Sequence, residues 1–356
     1  MTALITPQRE ALAYRVAWWY ASNDLRQAAA RMRAALLMPL LAQRGVAAEW
    51  LQRGEIQRYD CVVVARRYDD DTVRLLRQFK QGGGRVVVDL CDNHFLAASQ
   101  RAKHLRRVDN LRVLAELADV VVTASAALAQ IVSRECPAAR RVVAISDMPD
   151  DLGIVTAPLW QRALQGWQLA RERAHLARVA APGVCRLVWY GYATKRQKDA
   201  GMDELARLVP MLAALGRQHP LHLSVISNSA ARYRQLIASA LPSSRYIEWN
   251  ASTFDPLLRM QHIALIPASA HESTACRSDN RVVTALRAGL AVVADPVPSY
   301  APYGEVIQLG AMDDGVRRYV SDPAWRSADA ARGQAMVAQA DHAEQVLAQW
   351  RDVFAL

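Results

Sequence analysis

Short runs of β-branched and other apolar residues recur along this chain, each followed by a longer stretch of helical periodicity. That alternation constrains the fold more than any other feature. In the first half the runs are 15–20, 61–65, 85–89, 120–123 and 142–145; in the second they are 187–190, 221–227, 246–249, 263–267, 291–294 and 305–309. Runs this continuous do not suit strands exposed on one face; they read as strands buried on both. Between them lie amphipathic segments such as 23–44, 71–81, 203–217 and 278–288. Strand alternating with helix predicts parallel sheets covered by helices, an α/β fold.

The alternation breaks once. Pro149-Asp150-Asp151 and Pro158 lead into a long polar helical pattern over 159–180, closed by Pro182-Gly183, and a new strand begins at Leu187. The break predicts two Rossmann-like doubly wound domains, 1–157 and 184–332, joined by a linker helix in 158–183. The last stretch, 333–356, is helical over 333–354, with Trp350 and Phe354 on one face. Two such sheets leave a cleft between the carboxyl ends of their strands, the usual ligand site of this architecture.

Bulk properties narrow the class. The chain has 356 residues, 52% hydrophobic and 22% charged, enough for two packed domains. No run reaches the roughly 18 apolar residues of a membrane span. Pro7, Arg9 and Glu10 stand where a signal peptide needs an apolar core, so a cytoplasmic protein is expected. The five cysteines (Cys61, Cys91, Cys136, Cys185, Cys276) lie at least 30 positions apart and fit buried thiols better than disulfides or a zinc site. The net charge of +10 is uneven: 1–183 holds 26 basic and 18 acidic residues, 184–356 holds 18 and 16. The basic excess of the first half suggests an anionic partner there.

Several familiar signals are absent or point elsewhere. Gly82-Gly83-Gly84 precedes a strand, so it reads as a helix stop and turn. No GxGxxG and no GxxxxGK[ST] occurs, against NAD enzymes and P-loop NTPases. Asp69-Asp70-Asp71 opens a helix, where carboxylates serve as cap and first turn. The informative stretch is 271–294, which leaves a buried strand, crosses a polar loop, enters a helix and ends at Gly289 before another strand. Its loop-to-helix junction gathers Arg277, Ser278, Asn280 and Arg281 around free backbone N–H groups. A diphosphate suits such a place, and arginines would add bidentate hydrogen bonds. A capped core helix with surface arginines reads equally well from the residues alone.

That stretch resembles the signature of GT-B glycosyltransferases, especially those related to family 4, in which a polar loop leads to a helix reading roughly E-A-x-x-x-G-x-P-V-V. Ala285-Leu286-Arg287-Ala288-Gly289-Leu290-Ala291-Val292-Val293 has that shape, with Ala291 at the usual proline. Leu187-Val188-Trp189-Tyr190-Gly191-Tyr192 is similar to the first strand and glycine turn of the family's donor domain. Lys195, Arg196 and Lys198 follow that turn, and the resemblance implies a basic residue there on the donor diphosphate. The closing helix with Trp350 looks like the one that crosses back to the first domain in GT-B proteins. The resemblance departs at the family's paired glutamates, whose places fall on Cys276 and Thr284; Glu272 is a carboxylate of the same loop out of register.

What the resemblance implies is a GT-B enzyme that moves a sugar from a nucleoside-diphosphate sugar to an acceptor hydroxyl, with no metal and no other cofactor. The expected donor site comprises Gly191, Lys195, Lys198, Trp249, Arg277, Ser278, Asn280, Arg281 and Thr284. In the first half, Asp89-Leu90-Cys91-Asp92-Asn93-His94 ends a strand at the cleft. Asp92 and His94 there, with Glu272, are the catalytic candidates, although a capping turn explains the same residue types. Ser22, Asn23, Arg106 and Arg107 are expected on the acceptor side. The cluster Arg101, Lys103, Arg106, Arg107 and Arg112, opposed within the sequence only by Asp109, favours an anionic acceptor: a lipid-linked or surface glycan, with peripheral membrane contact, or DNA. No stable protein partner is inferred. The rival readings are a phage-type glycosyltransferase of modified DNA bases and a catalytically silent nucleotide-sugar or nucleic-acid binding protein of the same fold.

Overall fold

The structure, a computed structural model, describes residues 14–52, 54–96, 101–179, 181, 183–193 and 200–356. Its twelve strands are β1 Tyr14–Tyr20, β2 Val46–Trp50, β3 Cys61–Ala65, β4 Arg85–Leu90, β5 Val120–Thr123, β6 Val142–Ala144, β7 Cys185–Tyr190, β8 Leu221–Ser227, β9 Ser244–Glu248, β10 Ile263–Ile266, β11 Ala291–Ala294 and β12 Gln308–Leu309. They form two six-stranded sheets, ordered β2-β1-β3-β4-β5-β6 and β12-β11-β10-β7-β8-β9. Every pairing is parallel. Each sheet is doubly wound, reversing direction once: between β1 and β3 in the first, and between β7 and β10 in the second. Ligands of such sheets sit outside the strand ends at those reversals.

The central apolar runs are buried as their composition requires, while the edge strands β6, β9 and β12 are mostly half-buried. All of β3, β5, β10 and β11 is buried, and each sheet has one core on either face. The strand not expected is β2. Its Val-Ala-Ala-Glu-Trp lies at a sheet edge with one residue buried, so it needs no continuous apolar run. The aspartate run is a cap: Asp69 accepts the Thr72 N–H at 2.9 Å and opens helix Asp70–Gln81. Gly83, at φ +90°, turns the chain after that helix, and a Cβ at Gly84 would lie 2.3 Å from the Phe79 ring.

Three expected helices are broken. The 23–44 segment is helical only from Ala28 and passes through a π-helical turn, Arg31–Ala35, before restarting at Met38–Gln43 with Pro39 in its first turn. The segment 203–217 divides into Met202–Ala206 and Val209–Leu215, the second with Pro210 in its first turn. The tail is Pro323–Gln339 and His342–Phe354, with Ala340 extended between them. Val346, Leu347, Trp350, Val353 and Phe354 join the core on one face of the first sheet. Trp18 packs against both Trp350 and Phe354, at 6.0 Å between ring centroids in each case.

The π-helical turn carries two arginines into the interior. Arg31 binds both carboxylate oxygens of Asp150 at 2.6 and 2.7 Å. Arg33 is 1% exposed and grips Asp89 at 2.7 to 3.0 Å, and it also donates to the Ile145 carbonyl and to Asp147, both at 3.0 Å. The Tyr20 hydroxyl donates to the same Asp89. Burial opposes the charge on Arg33, but Asp89 and Asp147 outweigh it and hold its pKa well above the ordinary arginine value. Replacing Arg33 by Met leaves two carboxylates without their cation, a change that costs about 3–5 kcal/mol when a buried pair is broken. Urea denaturation of Arg33→Met is therefore expected to lose stability on that scale, and an unchanged midpoint would contradict the assignment.

Candidate functional site

The second sheet reverses between β7 and β10, and Gly191, Arg277 and Arg281 come together there. Gly191 directly follows β7. Its carbonyl accepts the Ser227 hydroxyl at 2.7 Å, and the Ala193 N–H donates to Asn228 Oδ1 at 2.8 Å, so the end of β8 holds the turn. A Cβ on Gly191 would sit 2.9 Å from the Trp189 ring and 3.3 Å from Arg281 Nη2. Glycine is required at this position because a guanidinium and an indole approach the backbone.

Arg281 lies in the first turn of helix Asn280–Arg287. It donates to the Tyr190 carbonyl, and its guanidinium lies 5.7 Å from the Trp189 ring centroid and 5.6 Å from that of Tyr190. Its Nε is buried without a hydrogen-bond partner. Among the described residues no carboxylate pairs with it, and burial lowers its pKa from the ordinary value. The N–H groups of Asn280, Arg281 and Val282 precede the first intrahelical acceptor pairing of this helix, which begins at Val283 N–H to Asp279 C=O. Asp279 does not cap them; its carboxylate instead accepts the Tyr303 hydroxyl at 2.6 Å.

Arg277 is held differently. It donates at 3.1 Å to Glu204, a fully buried carboxylate that also accepts the N–H groups of Gly201 at 3.1 Å and Ser269 at 2.9 Å. Glu204 thus ties together the segments after β7 and after β10. Ser278 and Asn280 turn toward the first sheet, where Asp147 accepts Ser278 Oγ at 2.6 Å and Asn280 Nδ2 at 3.4 Å. Thr284 lies with Asn280 in a small crevice against Met32, Met148 and Asp150. Trp249, half-buried after edge strand β9, packs against Phe254 with the rings tilted at 50° and their centroids 6.4 Å apart. Lys195 and Lys198 lie outside the described residues.

The catalytic candidates border this loop from the other side. His94 Nδ1 is 2.7 Å from the Tyr68 hydroxyl, and its Nε2 is 3.8 Å from Asp92, whose side chain is exposed. The Cys276 thiol, pushed up in pKa by burial, donates to the Ser273 carbonyl at 3.4 Å. The Cys276 carbonyl accepts Ser125 Oγ at 2.7 Å. Glu272 is committed to an ion pair with Arg134 of the first half. At the reversal of the first sheet, Ser22 Oγ accepts the Asp24 N–H at 3.2 Å, with Asn23 exposed beside it. Arg66 follows β3 at φ +60°, a left-handed conformation rare outside glycine.

The basic cluster is more opposed than its sequence suggests. Arg106 pairs with Asp70 at 3.0 Å and Arg112 with Glu135 at 3.0 Å, carboxylates that other helices bring in. Arg107 donates to the Arg66 carbonyl at 3.4 Å and lies over Tyr68. Sequence reasoning missed Glu204, Asp147, Tyr303 and the Ser227-Asn228 pair. None stands in a recognisable pattern; each matters through a partner far away in the chain.

No protein-family model matches the sequence, and no curated protein does. Solved structures do match the fold. HepE from Anabaena, in complex with UDP, overlays 96% of this chain and 99% of its own at a TM-score of 0.65 with 13% identity. Sucrose-phosphate synthase from Thermosynechococcus elongatus gives the same coverage and TM-score at 14% identity. A UDP-forming alpha,alpha-trehalose-phosphate synthase from Burkholderia vietnamiensis overlays 83% of this chain and 70% of its own, at 0.52 and 14%. What is shared at such identities is the architecture, and this chain has the GT-B fold of two doubly wound parallel sheets.

Proposed function

We propose that the protein transfers a sugar from a nucleoside-diphosphate sugar, with uridine as the base, to an acceptor hydroxyl. The observation that carries this reading is Arg281, a cation beside Gly191 at the sheet reversal with no carboxylate partner among the described residues. A half-buried charge without a counter-ion, its Nε buried without a partner, is costly unless a ligand supplies one. A diphosphate supplies it, and the uncapped N–H groups of helix Asn280–Arg287 add donors to the same anion. HepE, of the same fold, was solved with UDP. That supports uridine as the base.

In this reading Arg281, Arg277 and the helix N-terminus stabilise the charge that grows on the leaving diphosphate as the glycosidic bond breaks. Lys195 and Lys198 act on the same group, with Ser278, Asn280 and Thr284 on the flank and Trp249 at the base. No metal is needed when cationic groups meet the charge. Asp92 and His94 stand on the acceptor side, and Tyr68 fixes the imidazole through Nδ1, leaving Nε2 to exchange a proton with the acceptor. Glu272 serves to tie the halves together through Arg134. The acceptor is anionic and lies toward Ser22, Asn23, Arg106 and Arg107, in the half that holds the basic excess.

Arg281→Ala is expected to weaken UDP binding by about 1.5–3 kcal/mol, the scale of a hydrogen bond to a charged group. Calorimetric titration with UDP measures this, and unaltered affinity would refute the placement of the diphosphate. His94→Ala is expected to lower kcat by about 10²–10⁴-fold with UDP affinity retained, as for loss of a general acid–base group. EDTA is expected to leave turnover unchanged; a chelator-sensitive rate would end the metal-free mechanism.

A further inference from the structure

Helix Leu159–Val179 connects the two sheets and is apolar on two opposite sides. Its inner side is accounted for: Leu169 and Leu176 enter the core of the second sheet, and Gln165 accepts the Ser252 hydroxyl at 2.8 Å. Glu172, also on the inner side, is buried under Arg245. The outer side is not covered. Trp160 is 64% exposed, Leu164 60% and Trp167 65%, and Leu159 at the helix start is 80% exposed. Spacings of four, three and four residues align Trp160, Leu164, Trp167 and Arg171 along one face. Isolated exposed apolar residues need no explanation, but a stripe with two tryptophans does.

Charge identifies what fits this stripe. The helix carries Arg162, Arg171, Arg173 and Arg178, all exposed, while its single acidic residue, Glu172, is buried and neutralised by Arg171 and Arg245. The Arg171 guanidinium lies 5.3 Å from the Trp167 ring centroid and supports the indole where it stands. Arg171 and Arg178, seven residues apart, share the face of the tryptophans, whereas Arg162, two residues from both Trp160 and Leu164, lies on the far side of the helix. Tryptophans beside arginines on one helix face are the chemistry of a bilayer interface. The indoles seat among the headgroups, and the guanidinium groups meet anionic phosphates. A second copy of the chain fits poorly, because the area on offer is small. Two tryptophans of about 150–250 Å² each, already one-third covered, and two leucines fall short of the roughly 800 Å² per partner of a stable interface.

We propose that the outward face of helix Leu159–Val179, through Trp160, Leu164, Trp167, Arg171 and Arg178, docks the protein on an anionic lipid bilayer. The surface stands apart from the donor site and does not depend on what that site binds. Vesicle flotation of the full chain tests it, with phosphatidylcholine alone and with phosphatidylcholine containing phosphatidylglycerol. The protein is expected to float with the anionic vesicles and about tenfold less with the neutral ones. The exposed-residue variant Trp160→Ser/Trp167→Ser is expected to lose about tenfold in vesicle binding, with its melting temperature and UDP affinity unchanged. Arg178→Glu, which removes no apolar contact, is expected to weaken binding to anionic vesicles only. Absence of flotation, or undiminished flotation of the double variant, would overturn the proposal. So would a concentration-dependent dimer in sedimentation velocity that the same variant abolishes.

Discussion

The buried guanidinium of Arg33 is the constraint on which much else rests. It stands between Asp89, at the end of central strand β4, and Asp147, in the loop after β6. One cation against two carboxylates leaves the cluster short of positive charge, and the Tyr20 hydroxyl and the Ile145 carbonyl complete its hydrogen bonds. Such a cluster gains little over an apolar core of the same volume, because desolvation offsets most of its Coulomb energy. What it fixes is position. Asp147 also holds Ser278 and Asn280, so the geometry of the first sheet sets where the loop before helix Asn280–Arg287 lies.

The arginines near that loop are treated unequally. Arg31, Arg33 and Arg277 each have a carboxylate. Arg281 has two aromatic faces and one carbonyl, which orient a guanidinium without neutralising it. An arginine held this way keeps hydrogen-bonding capacity and charge for something else. The contrast lies within a few residues: Arg277 is held by the Glu204 carboxylate, Arg281 by two rings and a carbonyl.

Much of the fold was legible because strands buried on both faces must be apolar throughout, and that pattern survives without homologues. Eleven apolar runs mark strands, three of them the edges β6, β9 and β12, while edge strand β2, with Ala47, Ala48 and Glu49, escaped because it has no such run. Helix breaks were less visible. The π-helical turn exists to bring Arg31 and Arg33 inside, and a buried arginine in a helix looks like an exposed one until its partners are known. Asp89, Asp147 and Asp150 lie 56 to 119 residues away from those arginines. The candidate site was legible in outline through Gly191 and the 277–281 junction, since a close backbone approach and a helix start both leave local marks. Glu204 left none, and the carboxylates that oppose Arg106 and Arg112 come from other helices.

Helix His342–Phe354 covers Trp18 although the second sheet separates them in the chain. During synthesis β1 to β6 emerge long before that helix, and at ordinary elongation rates the delay is on the order of ten to forty seconds. Through that interval Trp18 has Leu37 and Leu41 on its side of the sheet but not the rings of Trp350 and Phe354. The core on that side of the first sheet is therefore completed only when the last helix is made.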